Sequence, residues 1–287
     1  MLVLSAVAAT AARVGLVTRA SAAPVTMTTN AVAQESTVLD QVAADMMSRW
    51  HLPGVQVAIT QDGQLVLSRA YGLADVESHQ PVDSTSLFRI ASDSKPFTAV
   101  AILRLIDQGR LTLDTRAFPL LDDLAPPAHA QPDPRLDAIT IQDLLQHTGG
   151  WNSSASYDPQ YVPWTYTAAG VLGVTAPPSA RDLVRFMRGQ PLDFEHGRAT
   201  AYSNFGYNVL GRVIERVSGQ TYADFVQAQV LQPAGVSDMR IARTRLADRA
   251  PNEVRYYGAP GAAGAAVGLP RRGLRCPRLR RHLHRGA

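Results

Sequence analysis

Lys95 is the only lysine among 28 cationic side chains, and it follows Ser92 by three positions in Phe88-Arg-Ile-Ala-Ser92-Asp-Ser-Lys95-Pro-Phe-Thr-Ala. A guanidinium keeps its proton near neutral pH, whereas a lysine amine gives its proton up when burial or neighbours disfavour the charge. A serine hydroxyl is a poor nucleophile until something removes its proton. An amine one helical turn further on stands on the same face and within reach of that proton. A Ser-x-x-Lys match arises by chance about once in a chain of this size at average residue usage, and is then an ordinary surface turn. With one lysine in the whole chain, that explanation loses most of its weight. Ser94 also precedes Lys95 but lacks the one-turn offset. Pro96 fits only near a helix start, where backbone N–H groups have no intrahelical partner, so Ser92 belongs at the positive end of a helix dipole.

A second group stands about a hundred residues later, in Ala201-Tyr202-Ser203-Asn204-Phe-Gly-Tyr207. Tyr202 carries a hydroxyl that can pass a proton, and Asn204 an amide that can hold a polar neighbour; two residues apart, they share a side if the segment is extended. Alone, each has a plainer reading: Tyr202 as packing ahead of a helix, Asn204 as a helix cap. His147, in Leu144-Leu-Gln-His147-Thr-Gly-Gly, tempts a reading as base or ligand, and His282 and His284 as a metal pair. No Cys, Asp or Glu cluster surrounds the last two, and no metal site is expected. Neither Gly-x-Ser-x-Gly nor His-Glu-x-x-His occurs, which argues against α/β-hydrolase and zinc-protease readings.

The elements that must carry these groups follow from periodicity. Leu39, Val42, Ala43, Met46, Met47 and Trp50 recur at helical spacing from Ser36, and Pro53-Gly54 ends the run. Val55–Thr60 and Leu65–Tyr71 are β-rich and flank Asp62-Gly63, the signal for a tight hairpin. A polar loop containing Pro81 leads to the serine-lysine helix, which stops at Gly109. The proline-rich stretch from Pro119 to Pro134 is read as loop. Short helices are expected at Ile139–Gln146 and Ala180–Arg188, with a Trp- and Tyr-bearing loop between them. A helix through Val209, Leu210, Val213, Ile214 and Val217 closes at Ser218-Gly219, and a last one covers Tyr222–Val230.

The formal charge of +4 comes from the end of the chain: residues 271–287 hold seven arginines and no acid, and without them 21 basic groups face 24 acidic ones. The body therefore lacks the footprint of a nucleic-acid binder, and polyanion binding would belong to the tail alone. Leu2–Val17 is largely apolar and is followed by Arg19-Ala20-Ser21-Ala22-Ala23, a small-x-small site of the kind signal peptidases cut, so export is expected. No other segment approaches the roughly 18 apolar residues of a membrane span. A single cysteine, Cys276, allows no internal disulfide.

Taken in order, Phe88-Arg-Ile-Ala-Ser-x-Ser-Lys, Leu144-Leu-Gln-His-Thr-Gly-Gly and Tyr202-Ser-Asn-Phe-Gly-Tyr-Asn-Val-Leu-Gly resemble blocks of the serine β-lactamase and penicillin-binding-protein superfamily. The likeness is greatest to the branch with class C β-lactamases, D,D-peptidases and β-lactamase-like esterases. It covers about residues 36–240. It implies an α/β fold, an antiparallel sheet flanked by helices with a mainly helical insert from about 110 to 200. The domain would span 36–257, between a leader at 1–35 and a tail at 258–287. The resemblance assigns Ser92 as nucleophile, Lys95 and Tyr202 as proton carriers and Asn204 as the group that positions substrate or Lys95. It requires no cofactor, implies a small-molecule or peptide substrate, and leaves the oligomeric state open. The reaction it implies is hydrolysis of a β-lactam, D-amino-acid peptide or short-chain ester through an acyl-enzyme.

One family block is missing. A third motif, Lys-Thr-Gly or a His or Trp variant, normally follows on a strand lining the cleft, and with Lys95 the only lysine the Lys-Thr-Gly form is excluded. The Gly/Ala stretch and arginine-rich end are expected to replace the C-terminal strands through a frame change or truncation, leaving the sheet incomplete. The alternative function is therefore a catalytically impaired homologue that at most binds cell-wall peptide.

Overall fold

The computed structural model describes residues 29–258 apart from residue 244, with side chains from 37 onward. The apolar run at the start, the low-complexity stretch from 259, Cys276, His282 and His284 lie outside the described residues. The described chain forms two compact units, one running to Ala91 and resuming at Ala242, the other spanning Ser92–Ile241.

In the first unit, α1 (Thr29–Trp50) begins seven residues ahead of the expected Ser36. The added turns contain no Pro or Gly, so nothing in Thr29-Asn-Ala-Val-Ala-Gln-Glu stops the helix from extending. β1 (Gly54–Gln61) and β2 (Gln64–Asp75) pair antiparallel from Gly54 opposite Gly72 to Gln61 opposite Gln64. Asp62 and Gly63 between them have φ of +50° and +76°, the doubly left-handed turn whose twist matches a hairpin. β3 (Gln80–Pro81) adds a third antiparallel strand beside β2. Two residues carry no alternation to detect, and a proline is tolerated only at such an edge, so this strand reads as loop in the sequence. The segment around Val254 packs on Ala74 and Val82, held by Arg89 Nε to Glu253 Oε1 at 2.9 Å and by Arg249 to Asp75 at 3.3 Å.

The second unit is helical: α2 (Ser94–Asp107), α3 (Ile141–Leu145), α4 (Trp164–Leu172), α5 (Ala180–Arg188), α6 (Asn204–Ser218) and α7 (Tyr222–Val226). Phe205, Val209, Leu210, Val213 and Ile214 form the buried stripe of α6, which packs on α2, α3, α5 and α7. Ala101, Ile102 and Leu105 of α2 and Phe186 of α5 complete the middle of that core. Capping boxes start α3, through Thr140 and Asp143, and α5, through Ser179 and Asp182.

Three expectations are corrected. α4 occupies part of the segment read as loop, because its Thr-rich, glycine-interrupted sequence lacks a clear stripe and its formation rests on burying Ala168 and Ala169. The proline-rich stretch contains 3₁₀ turns at Phe118–Leu121 and Pro134–Ala138. The last helix stops at Val226 and loosens into a π turn at Gln227–Leu231. The α/β class with a small antiparallel sheet is as expected. No helix among the described residues is long and apolar enough to cross a membrane.

Candidate active site

All four residues singled out in the sequence lie in the helical unit, and the structure brings them together where α2 and α6 begin. Ser92 sits in a 3₁₀ turn, Ala91–Asp93, that leads into α2. It therefore precedes the α-helix proper, with Asp93 as N-cap and Pro96 in the first turn. Side chains three apart eclipse in a 3₁₀ turn, so this entry aligns Ser92 with Lys95 as well as an α-turn would. Ser92 Oγ lies 3.2 Å from Lys95 Nζ. Ala91 holds φ at +46°, an unfavourable backbone for a residue with a Cβ, immediately before the candidate nucleophile.

The second pair comes from the entry to α6. Ser203 is the N-cap, its side chain accepting from Gly206 N at 3.1 Å. Because the serine takes that job, Asn204 is free of it and its side chain turns toward α2. Asn204 Oδ1 accepts from Lys95 Nζ at 2.7 Å. The Tyr202 hydroxyl stands 2.5 Å from Lys95 Nζ and 2.5 Å from Ser92 Oγ, closer to the serine than the amine is. Tyr202 is 49% exposed, which leaves the hydroxyl cluster open to a ligand.

Two supporting residues were not assigned to the site from the sequence. His147, with φ of +60°, has its ring between those of Tyr202 and Tyr207 at 4.8 and 5.1 Å, and its Nδ1 accepts from Ser203 N at 3.2 Å. Burial, and then the Lys95 charge, hold its pKa below the usual imidazole value of 6.5. An imidazole kept neutral can go on accepting at Nδ1. Asp158, on the loop between α3 and α4, accepts from Asn204 Nδ2 at 2.7 Å. No spacing signal pointed to it, since 46 residues separate the two in the chain. Beside Tyr202, Trp151, Tyr157, Asp158, Met187 and Phe205 help line a crevice of about 10 Å³, room for a single water.

Chemically, the cluster links a hydroxyl, a phenol and an amine by contacts short enough for proton transfer, with an amide oxygen fixing the amine from behind. Such an arrangement can move a proton from the hydroxyl to the amine.

A model of the beta-lactamase family matches residues 39–275. Among curated proteins, the chain is 34% identical to esterase EstB of Burkholderia gladioli over 70% of this chain and 50% of that protein. It is 29% identical to penicillin-binding protein 4* of Bacillus subtilis over 70% of this chain and 40% of that one. It thus spans about half, or less, of the length of these relatives. Among solved structures, an octameric penicillin-binding protein homologue from Pyrococcus abyssi superposes with a TM-score of 0.57 at 25% identity, covering 70% of this chain and 43% of that one. The family match runs through both the hairpin and the helices that bring Ser92, Lys95, Tyr202 and Asn204 together, and the chain belongs to the beta-lactamase family.

Proposed function

We propose that the chain is a serine hydrolase that works through an acyl-enzyme on Ser92. The observation that carries this reading is the Tyr202 hydroxyl standing 2.5 Å from both Ser92 Oγ and Lys95 Nζ. In the first half-reaction Oγ attacks the substrate carbonyl carbon while its proton passes to the phenol and the phenol's own proton to neutral Lys95. Two contacts of 2.5 Å favour this relay over direct transfer across 3.2 Å. The C–O or C–N bond then breaks, and the leaving group takes a proton back along the same route. Water attacks the acyl-enzyme in the second half-reaction, releasing a carboxylic acid and restoring the serine. The N–H of Ser92, in the 3₁₀ turn ahead of α2, is proposed as one donor to the oxyanion. Asn204 holds Lys95 in place, and no cofactor enters the cycle.

The substrate is a small ester, β-lactam or D-amino-acid peptide, a range supported by relatives that include an esterase and a penicillin-binding protein. A second reading is binding of the same substrates without turnover. Labelling with a fluorescent fluorophosphonate and a fluorescent penicillin separates the two. Hydrolysis predicts a covalent adduct on Ser92 that disappears in Ser92→Ala, followed by turnover of a p-nitrophenyl ester, a chromogenic cephalosporin or a D-alanyl dipeptide. Equal labelling of the Ser92→Ala variant overturns Ser92 as nucleophile.

A further inference from the structure

We propose that Asp158 is a positioning residue for the acylation step: it sets which end of the Asn204 amide faces Lys95, and so where the amine's lone pair points. The proposal rests on the serine-hydrolase reading above and assigns a role to a residue that reading does not use.

Nδ2 and Oδ1 of an asparagine have nearly the same shape, so only neighbours decide which way the amide turns. At Asn204 one neighbour is Lys95 Nζ, 2.7 Å from Oδ1, and the other is Asp158 Oδ2, 2.7 Å from Nδ2. An ionised carboxylate only accepts, which obliges the amide to present its NH₂ to Asp158 and its oxygen to Lys95. Facing that oxygen, a neutral Lys95 must donate one of its two N–H bonds to Asn204. Its lone pair is thereby left for the Tyr202 and Ser92 hydroxyls on its other sides, at 2.5 and 3.2 Å. With the amide reversed, Nδ2–H would point at Nζ and occupy the lone pair that must receive the phenol's proton. The amine would still be present and would no longer be a useful base.

Asp158 is itself fixed: its Oδ1 accepts from Gln160 N at 2.9 Å and its carbonyl from Tyr161 N at 3.2 Å. These bonds give it a competing role as a loop clamp, and the test must tell the two apart. If Asp158 acts through Asn204, its loss matters only while Asn204 is there to be turned. A loop clamp costs the same in either background.

The experiment is a double-mutant cycle on the full chain, reading the second-order rate of fluorophosphonate labelling for wild type, Asp158→Ala, Asn204→Ala and the double variant. Ser92→Ala supplies the background, and thermal melts check folding. We expect Asp158→Ala to slow labelling about tenfold in the wild-type background and less than about twofold in the Asn204→Ala background. Asp158→Asn, which keeps one acceptor for two donors, falls between, and it carries the cycle if the alanine variant does not fold. An equal factor in both backgrounds, or no slowing at all, overturns the proposal while leaving Ser92 as nucleophile intact. Labelling that survives Ser92→Ala removes the hydrolase reading and this proposal with it.

Discussion

Lys95→Arg is the sharpest perturbation available, because a guanidinium still donates hydrogen bonds but cannot act as a base. Among side chains reaching the Ser92 hydroxyl, Lys95 is the only amine, and it meets Tyr202 at 2.5 Å, Ser92 at 3.2 Å and Asn204 at 2.7 Å. A guanidinium can donate to the same three oxygens but cannot accept from any of them. The variant should therefore retain donor contacts to these oxygens, shift stability by only about 1 kcal/mol, and lose the proton acceptor completely. A positioned acid or base contributes about 10²–10⁴ in rate, so labelling should slow by that factor, roughly 3–5 kcal/mol of barrier. The measurement is the second-order fluorophosphonate rate across neutral to mildly alkaline pH, beside a thermal melt of each protein. A variant that melts like the wild type and labels within about threefold of it refutes Lys95 as the terminal proton acceptor of the relay.

Three further outcomes follow from the same geometry. His147 should make the fold acid-sensitive. Its folded pKa is lowered, so below about 6.5 the unfolded chain binds more protons, and stability present above that pH is lost as pH falls toward the folded value. His147→Asn tolerates the left-handed backbone and keeps an acceptor for Ser203 N, so its urea midpoint should fall less between about pH 8 and pH 5 than that of the wild type; parallel falls refute the assignment. Leu210→Ala empties a fully buried site on the central stripe of α6 and should cost about 2–5 kcal/mol in denaturant unfolding, whereas an unchanged midpoint would mean that α6 is not central to the core. Thr140→Ala removes the capping box of α3, which carries the loop to His147, and should cost about 1 kcal/mol with a proportionate drop in melting temperature.

Much of the candidate site's geometry was legible because its residues are concentrated in short blocks. Ser92 and Lys95 are three apart, and any helical turn, α or 3₁₀, superposes them. Asn204 had two readings from the sequence, helix cap and polar positioner; Ser203 takes the cap, and the amide of its neighbour turns inward to Lys95. Asp158 was invisible because its loop carries no periodicity and its partner lies in another segment. α4 was missed for a related reason: a helix that forms by burying two alanines leaves no stripe in its own sequence.

The sequence by itself determined the residue types that can exchange protons, the hairpin at Asp62-Gly63 and the apolar stripe of α6, since each depends on neighbours a few positions away. Only the tertiary structure decided that Tyr202 stands nearer than Lys95 to the serine, that Ser203 rather than Asn204 caps α6, and that a carboxylate lies behind the amide. Those outcomes depend on how the entries to α2 and α6 and the loop bearing Asp158 are packed together, and distances between residues 46 to 110 apart in the chain are not encoded in any local pattern.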